Sequence, residues 1–67
     1  MNNSQPMWGV YLVLKNGEHR YVERSATHSE KLAREIADDL THGVVTMPDG
    51  STRYIRPRPH IAKEIEP

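Results

Sequence analysis

Two hairpin turns, one on each side of a single capped helix, constrain this 67-residue sequence more than any other feature. The dipeptide Asn16-Gly17 follows an apolar run and precedes a strand-like segment. Asn and Gly both tolerate the positive φ angles of a two-residue hairpin turn, so the dipeptide predicts a tight hairpin. The tripeptide Pro48-Asp49-Gly50 also lies between two strand-like segments. It predicts a type I turn that a left-handed glycine closes.

The helix prediction rests on its two ends and on the spacing of its apolar residues. Thr27 and Glu30 fit a capping box, in which the Thr27 hydroxyl accepts from the Glu30 amide. Gly43 lies where a left-handed residue would end the helix. One apolar stripe repeats between these ends: Leu32, Ala33, Ile36, Ala37 and Leu40. In chain order these signals predict an α+β fold of the type ββαββ, a small antiparallel sheet of two hairpins with one helix packed on one face.

The remaining sequence divides the chain into three predicted parts. Residues 1–6 are rich in Asn, Ser and Gln and predict a disordered N-terminal lead. Residues 7–56 form the predicted ββαββ domain. Residues 57–67 begin with Pro57 and Pro59, which fix φ and remove backbone donors, so we expect an extended C-terminal tail there.

Counting residues back from the first turn assigns its side chains to two faces of the sheet. With a two-residue turn Leu12 pairs with Tyr21, and side chains alternate along each strand. On this register the face that receives the helix carries Val10, Leu12, Leu14 and Tyr21. The opposite face carries Tyr11, Val13, Arg20, Val22 and Arg24. A slip by one residue would invert the assignment.

The same count for the second hairpin uses a three-residue loop, which pairs Met47 with Ser51. One face of this hairpin is then expected to carry Val45, Met47, Arg53 and Ile55. The other face, on the same side of the sheet as Tyr11, carries Val44, Tyr54 and Arg56. The helix residues Leu32, Ile36 and Leu40 are expected to be buried against Val10, Leu12, Leu14 and Ile55.

The chain is short for a stable hydrophobic core. At a mass of 7.7 kDa, folding is expected to bury only about 60% of the surface of the unfolded chain. Domains of this size usually add disulfides, a metal or oligomerisation, and the sequence has no cysteine. We therefore expect self-association, most simply as a homodimer.

The sequence offers no motif for catalysis or metal binding. His28 and His42 bracket the helix about 21 Å apart, too far to share an ion, and no other histidine has a ligand at metal-site spacing. There is no cysteine and no nucleophile elbow. We expect no enzyme activity, metal, cofactor or small-molecule substrate. Without an apolar run near the ~20 residues of a membrane span, we expect a cytoplasmic protein with no membrane contact.

An Arg- and Tyr-rich surface is the remaining candidate site. Its predicted binding residues are Tyr11, Arg20, Arg24, Tyr54, Arg56, Arg58 and His60. Both residue types are enriched at protein interfaces, and the formal net charge is zero. We therefore expect a non-enzymatic protein–protein interaction or regulatory module, of a size typical of phage or mobile-element accessory proteins that inhibit a host complex. The alternative is a nucleic-acid-binding regulator that uses the sheet face and the Arg-Pro segment to stack bases and hold phosphates.

Overall fold

A computed structural model of the chain describes residues 5–66, which form one helix and five strands in two antiparallel sheets. In chain order the elements are β1 (Met7–Val13), β2 (His19–Tyr21), α1 (Glu30–Thr41), β3 (Val44–Thr46), β4 (Thr52–Tyr54) and β5 (His60–Ile65). The first sheet has the strand order β2-β1-β5, and β3 and β4 form a separate two-stranded ribbon. The predicted α+β class and the order ββαββ are confirmed, with the two hairpins in separate sheets and a fifth strand at the C-terminal end.

The predicted C-terminal tail contributes that fifth strand, so the tail prediction needs correction. Residues 60–65 pair antiparallel with β1, from Leu12 opposite His60 to Met7 opposite Ile65. The two prolines lie just before the strand, and the Pro59 carbonyl accepts a hydrogen bond from the Val13 amide at 2.9 Å. Pro59 does not interrupt the pairing with β1, because its carbonyl is the group that pairs there and its missing amide hydrogen is not required. Residue 67 of the predicted tail and residues 1–4 of the predicted lead lie outside the described residues.

The first hairpin differs from its predicted register by one residue. The Leu14 amide donates to the Glu18 carbonyl at 2.8 Å and the Gly17 amide to the Leu14 carbonyl at 2.9 Å, so the loop has three residues. A three-residue loop needs a left-handed conformation at one position only, which Gly17 supplies at φ 87°. Leu12 consequently pairs with Arg20, and Tyr11 pairs with Tyr21.

This slip exchanges the two faces of β2. Tyr21 lies on the side of the sheet away from the helix, together with Tyr11. Arg20 lies opposite Leu12, and Val22 donates its amide to the Val10 carbonyl, so both lie on the helix side. The predicted placement of these three β2-side residues was therefore wrong.

The second hairpin has the predicted register. The Met47 amide donates to the Ser51 carbonyl at 2.8 Å, and Val45 pairs with Arg53. Gly50 takes the left-handed conformation at φ 88°. The Ser51 hydroxyl and amide both donate to the Asp49 carboxylate, and these hydrogen bonds hold the pKa of Asp49 below its usual value.

The helix begins two residues later than the capping-box prediction. The Ser29 hydroxyl, not that of Thr27, accepts from a helix amide, that of Leu32, at 3.0 Å. Thr27 is unavailable as the cap because its backbone makes two hydrogen bonds with Trp8, at 2.6 and 2.8 Å. At the other end, Gly43 has the predicted left-handed conformation, with φ 80°.

The helix packs on β5 and β1 through its smallest side chains. Ala33 and Ala37 are buried, while Leu32 is 46% exposed and Ile36 and Leu40 are half-buried. The predicted burial of Leu32 was wrong, because the alanine side of the stripe lets the helix backbone approach the sheet most closely. The predicted contact residue Ile55 is likewise exposed. Among the described residues the buried apolar core consists of Val10, Leu12, Ala33 and Ala37.

After the end of β2, the side chain of a buried serine takes the place of a backbone hydrogen-bond partner for β1. Arg24 turns the chain with a left-handed φ of 66°, and the next residue, Ser25, points its hydroxyl into the sheet. The hydroxyl accepts from the Val10 amide at 3.0 Å and donates to the Val22 carbonyl at 2.6 Å. Val10 is fully buried, so Ser25 is the partner that satisfies its amide at the centre of the core.

Replacing Ser25 with alanine is expected to destabilise the fold by about 1–3 kcal/mol, because the Val10 amide would be left buried without a partner. Urea unfolding followed by the fluorescence of Trp8 measures this loss. Ser51→Ala is the matched control, since that hydroxyl lies in an exposed turn, and we expect a change within about 0.5 kcal/mol. Equal stabilities for the two variants would contradict the bridging role of Ser25.

Candidate functional site

The seven side chains predicted as one binding site lie on several surfaces. Tyr11 lies on the side of the three-stranded sheet away from the helix. Arg20 and His60 both pair with Leu12, one on each neighbouring strand, and so share a row on the helix side. The His60 ring contacts the carbonyl of Arg58 at 2.7 Å, and its amide donates to the Thr41 hydroxyl.

The other predicted residues lie outside the three-stranded sheet. Arg24 is exposed in the turn after β2. Tyr54 lies on the separate ribbon, and Arg56 and Arg58 lie in the exposed segment between β4 and β5. The structure therefore places Arg20 and His60 in one row. Tyr11 and Tyr54, the two tyrosines of the predicted site, lie on different sheets.

The outer sheet face is the side of the three-stranded sheet that points away from the helix. By the strand registers it consists of Met7, Gly9, Tyr11, Val13, His19, Tyr21, Ile61, Lys63 and Ile65. An antiparallel sheet normally presents polar side chains to water on its open face. Most side chains of this face are apolar or aromatic instead.

Three side chains form the centre of the outer sheet face. The rings of Tyr11 and Tyr21 pack edge to face, with centroids 5.6 Å apart and planes at 62°. The Lys63 ammonium lies 4.5 Å from the centroid of the Tyr11 ring, within cation–π range. Lys63 also extends across β1 to His19 on β2, with 3.2 Å between Nζ and Nδ1.

Gly9 of β1 lies beneath the side chains of Tyr21 and Ile65. A Cβ atom at Gly9 would lie only 3.0 Å from both Tyr21 Cε1 and Ile65 Cδ1. The two side chains therefore cover the glycine from either neighbouring strand. Glycine at this position lets an aromatic ring lie close to the sheet backbone.

The ionisable side chains of the outer sheet face are all basic. Lys63 carries its one formal charge, His19 adds a second basic group, and no acidic residue occupies an outer position of the three described strands. The acidic neighbour Glu64 pairs with Trp8 and lies on the helix side. A partner would meet an apolar and aromatic surface with a positive centre.

Metal-ligand clusters and grooves are the other candidate sites within residues 5–66. No three His, Asp or Glu side chains of this part of the chain gather as metal ligands. The groove between α1 and β5 is lined by mixed residues, including Ala37, Asp38, Thr41 and Ala62. The lowered pKa of Asp49 arises from its hydrogen bonds with Ser51 at an exposed turn.

The sequence analysis placed Tyr11 and Val13 on this face and missed its other seven members: Met7, Gly9, His19, Tyr21, Ile61, Lys63 and Ile65. Tyr21 was assigned to the other face by the register slip. The last three lie in the run Ile61-Ala62-Lys63-Glu64-Ile65, whose apolar residues do not alternate, so no period-2 pattern predicts a strand there.

Comparison of the chain with protein-family models, with curated proteins and with solved structures gave no match. The described residues contain no helix of the length and apolar character that crossing a membrane requires.

The contact between Lys63 and Tyr11 is expected to be visible in solution. Protons near the Lys63 ammonium should resonate upfield of those of Lys15 and Lys31, because they lie over an aromatic ring. Proton NMR of Tyr11→Leu should remove that difference, and Tyr54→Leu, on the separate ribbon, should preserve it. Three lysines with the same shifts in the wild type would contradict the cluster.

Proposed function

We propose that this chain is a non-enzymatic protein-binding module that uses the outer sheet face. The observation that carries the proposal is the cluster of Tyr11, Tyr21 and Lys63 at the centre of an apolar sheet face. The helix packs on the opposite side of this sheet, and the β3–β4 ribbon contacts the helix. No described element therefore covers the cluster.

The composition of the face supports a protein partner. Tyrosine supplies rigid contact area with little loss of side-chain entropy, and its hydroxyl can still meet a polar group. Tyr21 is 40% exposed, so part of its ring is available to a partner. The half-buried Val13, Ile61 and Ile65 provide apolar area around it. A central aromatic group with apolar surroundings is typical of the residues that dominate binding energy at protein interfaces.

The contacts of the same cluster argue against nucleic acid as the partner. Base stacking needs an open aromatic face, and the Lys63 ammonium occupies a face of the Tyr11 ring. The arginines do not surround this cluster, since Arg20 lies on the helix side and Arg56 and Arg58 lie beyond the ribbon. A surface that neutralises several phosphates needs such basic groups close together.

A regulatory role fits this mode of action. A small domain that covers a surface on a larger protein can inhibit it without any reaction of its own. The absence of cysteine from the sequence is consistent with the cytoplasmic location proposed for it.

Quantitative capture of proteins from the native cell lysate tests the proposal. Immobilised wild-type chain and Tyr54→Ser are expected to enrich the same protein, and Tyr21→Ser is expected to lose it. The two substitutions remove equivalent side chains, one from the outer sheet face and one from the ribbon. Circular dichroism of each variant verifies that the fold is retained.

Two further samples separate the alternatives. Nuclease treatment of the lysate should leave the capture unchanged, and the double variant Arg56→Ala, Arg58→Ala should bind as the wild type does. Loss of capture in the arginine variant but not in Tyr21→Ser would place the contact on the segment before β5. Binding of a labelled oligonucleotide that weakens steeply with added salt would identify nucleic acid as the partner.

A further inference from the structure

A second apolar surface lies on the other side of the helix, where the ribbon meets it. We define the helix–ribbon surface as Leu32, Ile36 and Leu40 of α1 with Val44 of β3 and Tyr54 of β4. The three helix residues repeat every four positions and so lie along one side of the helix. Leu32 is 46% exposed and Tyr54 is 79% exposed. Ile36, Leu40 and Val44 line a cleft of about 200 Å³ between helix and ribbon.

The chain exposes more surface than a compact monomer of its mass. Its accessible surface is 5433 Å², about 1,100 Å² more than the ~4,300 Å² expected for 7.7 kDa. Its radius of gyration is 12.8 Å, against about 11 Å for a compact chain of this length. A stable interface buries about 800 Å² on each partner, so the excess is of the size that one interface would remove.

The buried core of the described residues is also small for an isolated domain. It contains Val10, Leu12 and two alanines, and Val10 is the one large side chain that is completely buried. Two half-buried helix residues, Ile36 and Leu40, line the cleft. Covering them would add apolar burial that the single chain lacks, and small domains commonly gain stability by such association.

We propose that a second copy of this chain covers the helix–ribbon surface, in a two-fold symmetric dimer. The surface is self-complementary because it carries both an exposed aromatic side chain, Tyr54, and an apolar cleft beside it. In a two-fold dimer Tyr54 of each copy fills the cleft of the other. Asp39 is the one charged residue that lines the cleft, and the hydroxyl of the entering Tyr54 can donate a hydrogen bond to its carboxylate.

Charge distinguishes this surface from the outer sheet face as the place for a second copy. Two outer sheet faces in contact would bury two Lys63 ammonium groups with no acidic side chain on either face. Unpaired buried charge is strongly unfavourable. The five residues of the helix–ribbon surface carry no charge, and the Asp39 carboxylate of the cleft has the entering Tyr54 hydroxyl as a donor, so this interface leaves no charge without a polar partner. This inference stands apart from the proposed function, which concerns the other side of the sheet.

Sedimentation velocity over a wide dilution series tests the dimer. The wild type is expected to change from dimer to monomer on dilution. Leu32→Glu and Tyr54→Ser should each raise the dimer dissociation constant by about tenfold or more, since both side chains are exposed in the single chain and central in the dimer. Tyr21→Ser, on the outer sheet face, is the matched control and should dimerise as the wild type does.

The unfolding midpoint gives a second readout that does not depend on the variants. It should rise with protein concentration for the wild type, because association stabilises the folded state by mass action. A wild type that is monomeric at every concentration, with a constant midpoint, overturns the proposal. A dimer that Tyr21→Ser disrupts and Leu32→Glu leaves intact overturns it as well, because it places the second copy on the outer sheet face.

Discussion

The pairing of β1 with one strand along each of its edges is the interaction on which the rest of this structure depends. The even-numbered residues Val10, Leu12 and Leu14 exchange hydrogen bonds with the β2 side. The register of β5, with the Val13 amide bonded to Pro59, directs the odd-numbered residues to the other edge. The helix packs on β1 and β5 together, so both the core and the outer sheet face require β5 to be in place.

A single helix on a three-stranded sheet leaves much of the apolar surface uncovered. The helix buries its alanine side and protects one face of the sheet, and the ribbon extends from the helix end without reaching that sheet. Two separate apolar surfaces result, and they differ in charge. We proposed a protein partner for the one with Lys63 at its centre, and a second copy of the chain for the helix–ribbon surface.

The sequence predicts those parts of the fold that local chemistry determines. Pro48-Asp49-Gly50 allows one good turn geometry, so the second hairpin has its predicted register. Asn16-Gly17 suits both a two-residue turn and the end of a three-residue loop, and the choice between them moves Tyr21 across the sheet. The predicted binding site was affected by this choice, because it included Arg20 and left out Tyr21.

Other features depend on contacts between distant parts of the chain, which the local sequence does not show. Thr27 has the character of a helix cap, but its backbone pairs with Trp8, nineteen positions earlier, and leaves the cap to Ser29. Strand β5 lies about fifty residues after its partner β1, and the prolines before it resemble the start of a tail. Its apolar residues Ile61, Ala62 and Ile65 do not alternate with polar ones, so the local sequence contains no period-2 signal for the strand.

Amide hydrogen exchange along β5 tests most directly whether this strand completes the sheet. The register directs the amides of Ile61, Lys63 and Ile65 toward β1 and those of Ala62 and Glu64 toward the open edge. The first three should exchange as slowly as the amide of Leu12 in the core, and the other two should exchange rapidly. Rapid exchange at all five positions would contradict the account, because the outer sheet face and most of the helix packing would then have no third strand beneath them.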